Sequence, residues 1–102
     1  TDAAWRTATE TGADDSQWRT LADRVRPTRP ADALAVYLRL ADPLTRQTGN
    51  RVYERLTTLL LDIRDCHHRL GTIPQFAAYL SDLRATHRRK RNLLRLLDEQ
   101  GL

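Results

Sequence analysis

The chain has 102 residues, 40% hydrophobic and 29% charged, a balance that excludes a disordered polyelectrolyte and suits one modest globular domain. No apolar run approaches the roughly 20 residues needed to cross a bilayer. The net charge of +4 is uneven: residues 1–50 hold seven acids and seven bases, residues 51–102 six acids and ten bases.

In chain order, Asp2 to Thr11 forms a short helical candidate with Trp5 and Ala8 as apolar contacts and Gly12 as its stop. Asp14-Asp15-Ser16 then offers an N-cap, with acids at the positive end of the next helix dipole. Trp18, Leu21, Ala22 and Val25 follow on one face, and Pro27 closes that helix. A third helix starts near Pro30, with Leu34, Tyr37, Leu38 and Ala41 facing inward. Pro43 interrupts it, and Leu44 keeps the spacing, so a kinked continuation to Gln47 is expected.

Thr48-Gly49-Asn50 is a turn, with Asn50 as the next N-cap. Val52, Leu56, Leu59, Leu60, Ile63 and Leu70 mark one face of a fourth helix, and Asp65 and Arg69 make an i,i+4 pair. Gly71 stops it. Thr72 and Gln75 form a capping box, and Pro74 fits the first turn of a fifth helix. That helix is expected to run to Leu97, roughly 36 Å. Phe76, Leu80, Leu83, His87 and Leu94 line its apolar face, with Tyr79 and Leu97 at the edge. Arg84, Arg88, Arg91 and Arg95 line up on a neighbouring face, and six cations and no acid lie between Leu83 and Leu97.

No period-two run of β-branched residues marks a strand. The expected fold is therefore all-α: about five helices in antiparallel helix-turn-helix pairs, as a tetratricopeptide-like stack or a compact bundle. Residues 1–102 form a single domain. With no Met in the chain, a C-terminal fragment of a longer protein is expected. Cys66 is the only cysteine, which points to a reducing compartment and so to the cytoplasm.

Catalytic chemistry is hard to place. Cys66-His67-His68 are adjacent on a helix and diverge by about 100° each, so they do not converge on one ion, and no second ligand pair exists. Cys66 reads as a small core residue and His67 and His68 as partly exposed. Asp62 and Asp65 are a stray acid pair near His68, and His87 is a boundary residue on the apolar stripe. There is no Gly-rich phosphate loop, nucleophile elbow or HExxH. No enzyme, metal, cofactor or small-molecule substrate is expected.

Two blocks carry a resemblance. One is Arg29-Pro30-Ala31-Asp32-Ala33-Leu34-Ala35-Val36-Tyr37, followed by Thr48-Gly49-Asn50 and Tyr53. The other is Tyr79-Leu80-Ser81-Asp82-Leu83-Arg84 with His87-Arg88-Arg89-Lys90-Arg91-Asn92-Leu93-Leu94 and Leu97-Asp98. From Trp18 to Leu102 the chain resembles the helical C-terminal region of bacterial SWIM zinc-finger proteins. That family's finger has the pattern Cys-x-Cys then Cys-x-His; with one Cys here the finger is absent, and zinc binding carries over to no residue. The resemblance implies a helical module attached to a nucleic-acid- or protein-binding finger.

Two functions are therefore expected. The first is a non-catalytic protein-interaction or scaffold module, with a protein partner. The alternative is weak, salt-dependent nucleic-acid binding through Arg84, Arg88, Arg89, Lys90, Arg91 and Arg95. Codon bias in a GC-rich genome accounts better than recognition chemistry for sixteen of the seventeen cations being Arg.

Overall fold

Residues 15–102 are described by a computed structural model. Five helices form in them: α1 (Asp15–Val25), α2 (Pro30–Thr45), α3 (Asn50–Leu70), α4 (Ile73–Thr86) and α5 (Arg91–Glu99). No strand occurs among the described residues, and the architecture is all-α. The helix expected over Asp2 to Thr11, with Trp5, lies outside the described residues.

The longest helix, α3, is the centre of the packing. It carries Tyr53, Leu56, Leu59, Leu60, Ile63 and Cys66 into the core, at spacings that repeat one helical face. It packs against α2, α4 and α5, and α2 in turn packs against α1. The bundle measures 42 × 29 × 18 Å, so its thinnest dimension holds about two layers of helices.

Helix α2 fits between α1 and α3 because its buried face is small. Ala33 and Ala41 are fully buried beside Val36 and Tyr37, while the expected Leu34 and Leu38 are half-buried. The inward face is thus turned by about one residue from the one the larger side chains suggested. Pro30 occupies the first turn, where its missing N–H costs nothing. The helix passes through Pro43 and ends at Thr45, two residues short of the expected Gln47.

The N-cap expected within Asp14-Asp15-Ser16 falls at the edge of the described residues, where α1 is described from Asp15. Two expected caps differ. Gly49, with φ of 122°, takes the N-cap position before α3, and Asn50 is the first helical residue. Thr72 precedes α4 but makes no capping bond. Its hydroxyl lies 2.7 Å from Nδ1 of His67 instead, so the Thr72–Gln75 capping box does not form. His67 is accordingly buried, contrary to the half-exposed position expected, with its ring 5.8 Å from that of Phe76. Gly71 ends α3 in the left-handed conformation, as the sequence indicates.

The largest departure concerns the long C-terminal helix. It breaks at residues 87–90 into α4 and α5. No Pro or Gly marks the break. A straight helix would have put Leu94 and His87 inward with Phe76 and Leu83. Instead Leu93 and Leu97 are fully buried, and Leu94 and His87 are only half-buried. Turning the chain lets α5 fold back against α3, which buries two leucines that a continuous rod would carry past the core. The cation run at 88–91 also weakens a helix locally, because like charges three and four residues apart repel.

Candidate functional site

Among the described arginines, one population is neutralised. Arg19 and Arg26 converge on Asp62, with N···O distances of 2.7 and 2.8 Å. Arg26 also reaches Asp65 at 3.4 Å, and Arg69 closes the chain at 2.8 Å. Asp62 and Asp65 are therefore anchors for α1 on α3, not a stray acid pair. Tyr37 donates its hydroxyl to Asp23 beside them, and the Arg26 guanidinium lies 5.8 Å from the Tyr37 ring centroid. Cys66 is fully buried below this network, and that burial pushes its thiol up to about 11.

Two of the six cations expected to form a contact surface belong to this structural population. Arg84 donates to Asp98 Oδ1 and to the Leu102 carbonyl, both at 2.6 Å. It ties the end of α5 to α4, and it does not share a ridge with Arg88, Arg91 and Arg95. The carboxylate that neutralises it stands one residue beyond the acid-free stretch. Lys90 donates to the carbonyls of Thr45 and Gln47, at 2.8 and 3.3 Å. It stitches the α4–α5 turn to the end of α2 and satisfies carbonyls that a helix C-terminus leaves open.

The other four, Arg88, Arg89, Arg91 and Arg95, are exposed, and none forms an ion pair with a described carboxylate. The turn that carries them is held by Lys90 N–H to the His87 carbonyl at 2.9 Å and by Lys90's long-range bonds. Ala85, Thr86, His87, Arg88, Arg89 and Lys90 line an open groove of about 400 Å³ there. Burial, and then the Lys90 ammonium, hold His87 below the usual imidazole range.

Helix α5 begins at Arg91 with no acid in its first turn and no side-chain cap, so Arg91 faces the positive end of its own helix dipole. The C-terminus of α4 and that of α2, negative dipole ends, lie at the same corner, and Lys90 takes up the second of them.

Other concavities carry less chemistry. A groove of about 310 Å³ is lined by Leu61, Arg64, Asp65, His68 and Ile73. Among the described residues, Ile73 and nearby Leu70 are the exposed large hydrophobics. Among the described residues, no group of three or more His, Cys, Asp or Glu side chains is placed to hold a metal ion. Nor is any described helix long and apolar enough to cross a membrane.

The sequence marks the basic segment, but neither the break within it nor the anchoring role of Lys90 is legible there. Nothing local marks Lys90, since its partners are 43 and 45 residues away. Comparison with protein families, with curated proteins and with solved structures finds no match for the chain. The likeness to SWIM zinc-finger proteins rests on its two sequence blocks alone.

Proposed function

We propose that this chain is a non-catalytic helical interaction module that docks an anionic macromolecule through Arg88, Arg89, Arg91 and Arg95. One observation carries the reading. These four cations crowd one turn and the helix after it without an ion-paired carboxylate among the described residues, while Arg19, Arg26, Arg29, Arg46, Arg69 and Arg84 each have one. The other arginines without an ion-paired described carboxylate, Arg24, Arg39, Arg51, Arg55 and Arg64, are spread over three helices. Uncompensated like charge at a helix start opposes folding, and such local conflicts concentrate at functional surfaces. The guanidinium fork is suited to carboxylate and phosphate oxygens. The resemblance to a helical region of bacterial SWIM zinc-finger proteins supports a module working within a larger protein.

Retention on an immobilised sulfated polysaccharide tests the reading. The double reversal Arg88→Glu/Arg91→Glu is expected to elute at much lower salt than the parent. Arg24→Glu/Arg64→Glu makes the same change in net charge on exposed or half-exposed positions away from the corner. Equal loss of retention in both doubles would show that only net charge matters, and the reading would fail.

A further inference from the structure

Resting on that docking surface, we infer that its partner is the phosphate backbone of double-stranded DNA, contacted without sequence readout. The first argument is what the corner lacks. A protein–protein interface of any strength centres on buried aromatic or aliphatic anchors, with charge at its rim. The groove here is lined by Ala85, Thr86, His87 and cations, and the exposed Leu70 and Ile73 lie at the opposite end of α4, about 20 Å away along its axis. Binding energy at the corner comes from charge, which is the mode of backbone contact with nucleic acid.

The second argument excludes single strands. Their recognition stacks bases on exposed aromatic rings. Among the described residues Trp18, Tyr37, Tyr53 and Phe76 are buried and Tyr79 is half-buried, on the other side of Leu83 from the corner. Burial, and then the Asp42 charge, raise the Tyr79 hydroxyl's pKa, and that ring packs against the hydrophobic core. The third argument concerns duplex type. Double-stranded RNA is read through its 2′-hydroxyls across a shallow minor groove. Four guanidinium groups in one short row do not span the two successive minor grooves over which duplex RNA is read by shape, so a single run of DNA backbone phosphates is the contact they suit.

Geometry limits the footprint. Arg91 and Arg95 are one helical turn apart, with about 6 Å between their Cβ atoms, and Arg88 and Arg89 extend the row into the turn. Four contacts give a slope of log affinity against log salt of about −3.6, a loss of roughly 150-fold between 50 and 200 mM salt.

Fluorescence anisotropy of the 102-residue chain against a 20-base-pair DNA duplex, the matching duplex RNA, one single strand and poly-glutamate separates the outcomes. The expected result is tightest binding to duplex DNA, with the slope given above. Arg88→Ala and Arg91→Ala should each make that slope shallower by about 0.9, with thermal melting unchanged, while Arg24→Ala should leave it as it was. Tighter binding to duplex RNA or to the single strand overturns the inference, and so does a slope that neither corner variant changes. If poly-glutamate binds through the same arginines and the duplex does not, the DNA assignment fails and the anionic docking surface stands. If no polyanion binds at 50 mM salt, both fail.

Discussion

The face where α1 meets α3 and the corner where α4 meets α5 are built from the same residue and use it in opposite ways. On the first, Arg19, Arg26 and Arg69 are drawn onto Asp62 and Asp65, and the cations become fasteners between helices. At the second, Arg88, Arg89, Arg91 and Arg95 stand beside a helix start with no such acids, and the fastening is done by Leu93, Leu97 and Lys90. Guanidinium chemistry is identical in the two places. What differs is whether the fold brings a carboxylate within about 3 Å, and that decides which arginines are free to meet something else.

The comparison breaks most visibly if α5 loses its grip on α3. Leu93 is fully buried, so Leu93→Ala should cost about 2–4 kcal/mol, a fall in melting temperature of roughly 10–20 °C. Cys66 supplies a second readout. Its buried thiol is protonated at pH 8 and reacts only when the bundle opens. A loss of 2 kcal/mol should therefore speed its alkylation roughly thirtyfold. An unchanged rate would mean that α5 is not part of the cooperative unit.

The fastened face responds next. Asp62→Ala strands the half-buried Arg19 guanidinium and leaves Arg26 only its longer pair with Asp65, and a cost of about 1–3 kcal/mol is expected in urea unfolding. Asp65→Ala should cost less than about 1 kcal/mol, because its bond to Arg69 is largely solvated. The Arg69 hydrogen bond holds the Asp65 carboxyl below the usual carboxylate value against the opposing effect of burial. Its contribution is thus fully present above about pH 4, the unfolded value, and is lost as pH falls through the lower folded one. Arg69→Ala should flatten that acid limb.

Much of this was legible beforehand, and the exceptions share a cause. Helix existence followed from periodicity and punctuation: Gly71 and Pro30 act as local geometry requires. The 87–90 break was not legible, because its gain comes from Leu93 and Leu97 meeting α3, some thirty residues earlier in the chain. The Asp62 cluster was hidden for the same reason, its two arginines lying 36 and 43 residues away. At the candidate site, charge density marked the right segment. Which cations in it were occupied depended on Asp98, Thr45 and Gln47, and an angular count on one helix does not see those.

Arg84 lies between the two regimes and gives a smaller effect. Arg84→Ala removes both the Asp98 pair and the bond to the Leu102 carbonyl. Both partners are at least one-third exposed, so the cost should stay below about 1 kcal/mol. The change should be local: faster amide exchange at Gln100, Gly101 and Leu102, with α1 to α3 unaffected. Global acceleration would place Arg84 in the core network.

The smallest expected change in stability carries the sharpest consequence. Arg91 is the first residue of α5, at the positive end of its dipole and beside three other free cations. Arg91→Glu replaces a mismatched charge with a matched one, and the fold should become more stable by about 0.3–1 kcal/mol. The same substitution should weaken polyanion binding. Stability and binding moving in opposite directions at one residue is what an arginine kept for a partner predicts, because the native choice then carries a folding cost that the free protein does not recover. An arginine held by an internal bond would lose both together, so a destabilisation above about 1 kcal/mol in Arg91→Glu would move it into the fastened population and leave the corner without its central contact.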